Sequence, residues 1–207
     1  MTLPINKESW HKANISYAGH TEALRDIFKQ EAIMVMGLEE LYVALFTEHI
    51  PLKDVVSSIK KEKLVEFFLR LQKYMPKKMW GVLGINPHAG DNGVIGDEDK
   101  IIKEAILEAN TILKNEIFFG PLVPDIAFTK YKREYFSNFV AMYHDQGLAP
   151  LKALYFNECI NISLALPIVR TSVGHGSAFD IAYKSLSPSN QSYINAIVSA
   201  LHLVSYK

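Results

Sequence analysis

The sequence predicts a layered α/β fold, a three-layer αβα arrangement with helices on both faces of a sheet. Short apolar runs of strand length alternate with longer segments in which apolar residues recur at helical spacing. Gly and Pro lie between these segments, and the chain has no internal repeat and no low-complexity stretch. In such a fold, functional loops are expected at the carboxyl ends of the strands.

Five segments have the pattern of helices. Between Leu52 and Tyr74, apolar residues recur at helical spacing and lysines and glutamates fill the other face, which predicts one amphipathic helix. Residues 97–113 carry acidic side chains in the first turn, where the helix dipole favours them. Residues 21–28 follow a short loop and are predicted as a helix. Residues 176–184 and 189–205 are predicted to close the chain as two more helices.

Five short apolar runs have the pattern of strands. Residues 32–36 and 41–46 flank a glycine-containing turn, so they are predicted as a hairpin or as two adjacent strands. Residues 80–86 are predicted as a buried strand that leads into a loop over His88 to Gly96. The remaining strands are predicted at 139–143 and at 160–166.

Composition excludes several classes of protein. Lys and Arg number 22, as do Asp and Glu, so no net charge favours nucleic acid or an anionic membrane as a partner. No apolar run approaches the 18 or so residues that a membrane span needs. The single cysteine, Cys159, excludes an intrachain disulfide and is predicted to be a small buried apolar residue. The chain is therefore expected in a reducing cytoplasm.

Three of the seven histidines occupy similar positions. His20 precedes a predicted helix, and His88 and His144 follow predicted strands. Three imidazoles with an open fourth position describe a catalytic divalent-metal site, and Asp145 and Glu22 could orient the rings. Because the three are far apart in sequence, spacing alone favours a plainer interpretation, in which they cap helices or bind carbonyl groups.

A second candidate group is cationic and polar. Lys152 lies eight residues beyond His144, and Asn161 and Arg170 flank a predicted strand. A point charge and a planar guanidinium suit a phosphate and a carboxylate, although surface solvation explains most single Lys or Arg residues. The chain has no G-x-G-x-x-G fingerprint and no P-loop, so the residues alone do not predict a nicotinamide cofactor.

Several motifs nevertheless resemble one family, the 4-hydroxythreonine-4-phosphate dehydrogenases, and they follow in order from residue 2 to the C-terminus. The motifs are LPINK at 3–7, YAGHTE at 17–22, NPHAG at 86–90, Gly120-Pro121 with Asp125, YHDQG at 143–147, and Leu166-Pro167 followed by RTSV at 170–173.

The resemblance implies a two-lobe architecture like that of isocitrate and isopropylmalate dehydrogenases, with the first lobe incomplete here. Residues 1–175 would form the second lobe, with the metal and substrate site and a dimer interface, and residues 176–207 would return to the first lobe. The family has a preceding segment on the order of 100–150 residues, so the chain is expected to be a truncated form with little activity alone.

The resemblance also implies the site and its ligands. A divalent metal (Zn, Mg, Co or Mn) would be shared across a homodimer interface, and NAD or NADP would be the cofactor. The residues it implies are His20, His88 and His144 as metal ligands, Lys152, Asn161 and Arg170 as substrate-binding residues, and Lys152, Asp145 and Asp125 as catalytic residues.

The implied reaction oxidises the 3-hydroxyl of 4-phosphooxy-L-threonine and then releases carbon dioxide to give 3-amino-2-oxopropyl phosphate, in pyridoxal 5'-phosphate biosynthesis. Two alternatives stay open: a paralogous dehydrogenase of erythronate or threonate 4-phosphate, and a non-catalytic metal-binding dimerisation module. The chain also departs from the family pattern. Gly174 stands where an aspartate is expected, which could change cofactor or substrate contacts, and residues 48–75 are interpreted as a lysine-rich surface insertion.

Overall fold

The protein has a mixed α/β fold with seven strands in the part of the chain that is described, residues 1–17, 19–76, 78–184 and 188–204 of a computed structural model. It divides into two compact units. We call residues 1–38 with 155–207 the terminal unit and residues 39–154 the central unit. The boundary predicted after residue 175 does not coincide with this division, and the lobe assignment stays a prediction.

The described elements alternate between helix and strand along most of the chain, as the sequence predicts. The strands are β1 (Ile33–Leu38), β2 (Leu41–Leu45), β3 (Trp80–Leu83), β4 (Phe118–Leu122), β5 (Asn138–Ala141), β6 (Ile160–Leu164) and β7 (Arg170–Val173). The helices are α1 (Lys7–Lys12), α2 (His20–Phe28), α3 (Leu52–Ser58), α4 (Lys61–Tyr74), α5 (Glu98–Leu113), α6 (Pro124–Ala127), α7 (Lys130–Tyr135), α8 (His144–Tyr155) and α9 (Gln191–Val204).

The central unit is built on parallel strands in the order β4-β3-β5-β2. Every residue of β2, β3 and β5 is buried, as expected for parallel strands that are covered on both faces. Helices α4 and α5 pack on each other beside this sheet. The core includes a stacked pair of rings, Phe68 of α4 and Phe118 of β4, with centroids 4.6 Å apart.

The terminal unit is built on antiparallel strands in the order β1-β6-β7. In β6, apolar and polar residues alternate, so Asn161 and Ser163 lie on the face opposite to that of the apolar residues. Their partners in β7, Ser172 and Arg170, are also polar. Helix α9 packs on β6 and β7, and the Thr171 hydroxyl donates to the Ala196 carbonyl at 2.8 Å. The polar face of β6 and β7 carries Asn161, Ser163 and Arg170.

Two of the predicted helices are wrong. The segment from Leu52 to Tyr74 is two helices, α3 and α4, because Ile59 is extended (ψ 92°) and buried at 1% exposure between them. Residues 176–184 form turns and irregular structure rather than a helix. Ala178 and Tyr183 have positive φ there, and the segment contains no buried residue against which a short helix could be stabilised.

The other predicted elements are confirmed, with ends shifted by a few residues. Residue 205, at the end of the last predicted helix, lies outside the described residues. The stretch that was predicted as a loop after β3 contains a 3-10 segment, Pro87–Gly93. Cys159 is fully buried, as predicted. Among the described helices, none has the length and apolar character to cross a membrane.

Candidate functional site

Arg170 is a buried cation on the polar face of the terminal unit. Arg170 begins β7, directly opposite Ser163 of β6, and it is 6% exposed. Nη1 donates to Ser163 Oγ at 3.1 Å and to Thr21 Oγ1 at 3.4 Å, and Nε donates to Thr2 Oγ1 at 3.1 Å. Its hydrogen-bond acceptors in the described part of the chain are therefore hydroxyl groups, with no carboxylate within ion-pair distance.

The environment of Arg170 is costly for a cation. Burial lowers the pKa of its guanidinium, yet an arginine keeps its proton in proteins. A buried charge is normally paired or neutralised, because desolvation of an unpaired ion costs several kcal/mol. An anionic ligand at Arg170 would supply the missing counter-charge.

His20 lies beside this cation. It begins α2, next to Thr21, and its ring meets the Trp10 ring edge-on at 5.1 Å. Burial lowers the pKa of His20, and the positive charge of Arg170 lowers it further. A lowered pKa keeps the imidazole neutral at pH 7, which is the form that binds metal ions.

Asn161 belongs to the same sheet face as Arg170. It stands opposite Ser172 in the β6–β7 register, two positions from the pair of Ser163 and Arg170 and therefore on the same face. The amide oxygen of Asn161 is buried and, within the described residues, accepts no hydrogen bond. The structure thus brings His20, Asn161 and Arg170 into one unit, which their spacing in sequence does not reveal.

His144 and Asp145 follow β5 in the central unit. His144 begins α8, and its Nδ1 lies 2.7 Å from Asp145 Oδ1. Such a contact fixes the ring and leaves Nε2 for another ligand. The His49 ring lies 5.3 Å from the His144 ring, and both line a cleft of about 280 Å³ with Glu48 and Tyr143. Asp145 contacts the ring that it was predicted to orient, and its catalytic role stays a prediction.

Gln146 joins the carboxyl ends of two strands beside His144. Its amide nitrogen donates to the Gly84 carbonyl after β3 at 2.7 Å, and its amide oxygen accepts from the Met142 N–H after β5 at 2.7 Å. These two bonds hold the start of α8 against the end of β3. In the sequence, Gln146 is visible only as a member of the YHDQG motif, and its spacing does not predict these contacts.

His88 lies in the 3-10 segment after β3, and it is exposed. The carboxylate of Asp99, 4% exposed in α5, accepts hydrogen bonds from the Ile85 N–H at 2.9 Å and from the Asn86 N–H at 3.1 Å. It also accepts one from the Asn86 side-chain amide at 2.9 Å. The acidic residues of this first turn were predicted to interact with the helix dipole, so the role of Asp99 as anchor of the segment that carries His88 was not predicted.

Lys152 and Asp125 complete the predicted set in the central unit. Lys152 is half-buried in α8, and Asp125 is exposed in the first turn of α6. Helix α6 packs against the segment that carries His88. The predicted roles of both residues stay predictions.

A metal site requires several of these groups to converge. Within the described residues of this chain, no group of three or more His, Cys, Asp or Glu side chains is placed to hold a metal ion. The donor chemistry itself fits a divalent metal, because His144 has an anchored ring and His20 is held neutral. The predicted ligand set of His20, His88 and His144, shared across a dimer, stays a prediction.

Fold and site together define an α/β protein with histidines after parallel strands and a buried arginine on an antiparallel sheet, and no carboxylate of the described residues pairs with that arginine. The chain belongs to the family of pyridoxal phosphate biosynthetic protein PdxA, whose model matches residues 1–200. The family resemblance of the sequence motifs is therefore confirmed.

Individual relatives agree with this membership. The chain is 60% identical over 203 residues to 4-hydroxythreonine-4-phosphate dehydrogenase of Sulfurimonas denitrificans, covering 98% of this chain and 66% of the relative. It is 55% identical to the enzyme of that name from Campylobacter fetus, covering 100% and 67%. The chain thus spans about two thirds of the length of these relatives. The crystal structure of 4-hydroxythreonine-4-phosphate dehydrogenase from Klebsiella pneumoniae superposes with a TM-score of 0.80 at 34% identity, covering 97% of this chain and 62% of that one.

Proposed function

We propose that this chain is the metal- and substrate-binding part of an NAD- or NADP-dependent dehydrogenase. The enzyme would oxidise 4-phosphooxy-L-threonine at its 3-hydroxyl, and decarboxylation would then give 3-amino-2-oxopropyl phosphate for pyridoxal 5'-phosphate biosynthesis. The names of the relatives support the reaction. The observation that carries the proposal is Arg170, a buried cation beside His20 that lacks a carboxylate among the described residues.

The substrate's charges match the cations that the chain offers. A phosphate or carboxylate group would neutralise Arg170 and so remove the cost of its burial. Asn161, on the same sheet face, offers a buried amide oxygen to a hydroxyl or ammonium group of the ligand. Lys152 would add a second positive charge, and it is the candidate carrier of a proton.

His20, His88 and His144 would hold the metal ion, with ligands from both subunits of a homodimer. When bound, a divalent ion supplies Lewis acidity that assists proton loss from a hydroxyl and stabilises the negative charge formed on decarboxylation. Asp145 orients the His144 ring through Nδ1. Asp125, exposed at the start of α6, is proposed to line the same cleft.

The nicotinamide cofactor is proposed from the resemblance of the sequence motifs to the family. The chain has no glycine-rich dinucleotide fingerprint, so no residue of it is assigned to NAD or NADP. We also propose the two-lobe architecture of isocitrate and isopropylmalate dehydrogenases for the whole enzyme, in which the remaining third of the relatives' length would complete the first lobe.

The test is NADH formation, followed by nicotinamide absorbance, with 4-phosphooxy-L-threonine and an added divalent metal. This chain and a version extended to the length of its relatives are assayed side by side. We expect turnover in the longer form that is lost in its His88→Ala variant. Turnover of erythronate or threonate 4-phosphate alone would replace the proposed substrate. Metal binding without turnover in either form would favour the dimerisation module.

A further inference from the structure

Arg170 differs from most structural arginines in the groups that accept its hydrogen bonds. Structural arginines are usually paired with carboxylates, which neutralise them. Here Ser163, Thr21 and Thr2 accept from Nη1 and Nε with neutral oxygens. The guanidinium is therefore fixed in orientation at two of its nitrogens while its charge remains uncompensated within the described chain.

The third nitrogen of Arg170 is left for a ligand. Nη2 donates to none of the described residues. Within the described residues, the two N–H groups of Nη2 are therefore left for a ligand, on a guanidinium whose Nε and Nη1 are already held.

The hydroxyls add further donors to the same site. Each oxygen accepts from Arg170, which leaves its own O–H proton to donate. None of the three hydroxyls donates to a described residue. A site with several free donors and a positive charge suits a group with many acceptors. Phosphate, with its terminal oxygens, meets this need better than a carboxylate with two.

We propose that the Ser163 hydroxyl, together with those of Thr2 and Thr21, is a positioning group that directs Nη2 of Arg170 toward the substrate's phosphate without neutralising the guanidinium. Ser163 is the central member, because it is 2% exposed and stands directly opposite Arg170 in the β6–β7 register. This inference rests on the proposed function only for the identity of the ligand as the substrate's phosphate. The binding of inorganic phosphate does not require dehydrogenase activity.

The matched control is Ser172. It lies on the same sheet face, is 5% exposed and stands opposite Asn161. It makes no hydrogen bond to Arg170. Ser172→Ala therefore removes the same atom from the same strand pair without touching the guanidinium.

The experiment measures binding of inorganic phosphate to the 207-residue chain by calorimetry, with acetate as the carboxylate probe and circular dichroism as the check of folding. We expect Ser163→Ala to weaken phosphate binding about tenfold, since it removes a hydrogen bond to a charged group. Ser163→Thr retains the hydroxyl, and Ser172→Ala leaves Arg170 untouched, so both should stay within about twofold of the parent. Ser163→Asp should abolish binding because its carboxylate neutralises the guanidinium.

Several outcomes would overturn the inference. They are tighter binding of acetate than of phosphate, no phosphate binding by the parent chain, and equal effects of Ser163→Ala and Ser172→Ala. If Ser163→Asp does not fold, the Ala and Thr variants decide the question by themselves. In the extended enzyme, Ser163→Ala should raise KM and leave kcat close to the parent value. Phosphate binding with the expected variant pattern but no turnover would retain the anion site and reject the dehydrogenase.

Discussion

The two units place their candidate chemical groups in different parts of a sheet. In the central unit, the strands β2, β3 and β5 are buried at every residue, and the candidate groups follow the strand ends, at His88 and His144. In the terminal unit, the groups lie within the strands, on the polar face of β6 and β7. The strands of a parallel sheet that is covered on both faces are mostly apolar, whereas an antiparallel sheet can keep one polar face.

The comparison predicts that buried strand residues of the central unit contribute more to the free energy of unfolding than the polar strand residues of the terminal unit. Phe139 of β5 is fully buried, and its ring lies 4.9 Å from that of Phe128. We expect Phe139→Ala to lower the free energy of unfolding by about 3–5 kcal/mol, measured by urea denaturation. Ser163→Ala, equally buried on the terminal sheet, should cost only about 1 kcal/mol. Equal losses in the two variants would refute the distinction.

The strand-end loops of the central unit need their own anchor, and Asp99 provides it. We expect Asp99→Ala to cost about 2–3 kcal/mol, because it leaves the partly buried N–H groups of Ile85 and Asn86 without an acceptor. Asp97 is the control: its side chain is 76% exposed and pairs with Lys100 at the surface. Unfolding by urea measures both variants. If Asp97→Ala lowers the free energy of unfolding as much as Asp99→Ala does, the anchoring role of Asp99 is wrong.

In the terminal unit, Gly174 is held in close contact just after β7. A Cβ at Gly174 would meet the carbonyl oxygen and the sulfur of Cys159, whereas one at Gly176 would meet nothing within 4 Å. We expect Gly174→Ala to cost about 1–3 kcal/mol through overpacking, and Gly176→Ala to cost little. Thermal unfolding of the two variants measures the difference. Gly174 therefore has a packing reason for departing from the expected aspartate, while its effect on ligand contacts stays a prediction.

Substitution of Arg170 should change stability least of all, although it should remove phosphate binding. Arg170→Met replaces a buried, uncompensated cation by an apolar chain of similar length, so the free energy of unfolding should change by less than about 1 kcal/mol or rise. Phosphate binding should disappear. Lys103→Met, an exposed cation of α5, should leave both unchanged. A strong loss of stability in Arg170→Met would indicate that the arginine serves the fold rather than a ligand.

Local sequence patterns predicted five of the described strands and the longer helices, but not β4, β7, α1 or α6 to α8. Apolar runs predicted β3, β5 and β6, and helical spacing predicted α5 and α9. Such patterns reflect neighbours within a few residues, which also determine the local conformation. The positions of His88 and His144 after strands followed in the same way, because a strand's end is visible in the chain that forms it.

Contacts between distant residues were decided only by the tertiary structure. Arg170 bonds to Thr2 and Thr21, which lie 168 and 149 residues away in the chain. The break at Ile59 arises because that side chain enters the core, and the constraint on Gly174 comes from packing against Cys159. Each of these depends on side chains that meet only after the strands and helices have packed. Local patterns were enough for most of the strands and for the groups that could react, because both depend on neighbouring residues. Packing decided that Arg170 is buried among hydroxyl groups, with no carboxylate of the described residues beside it.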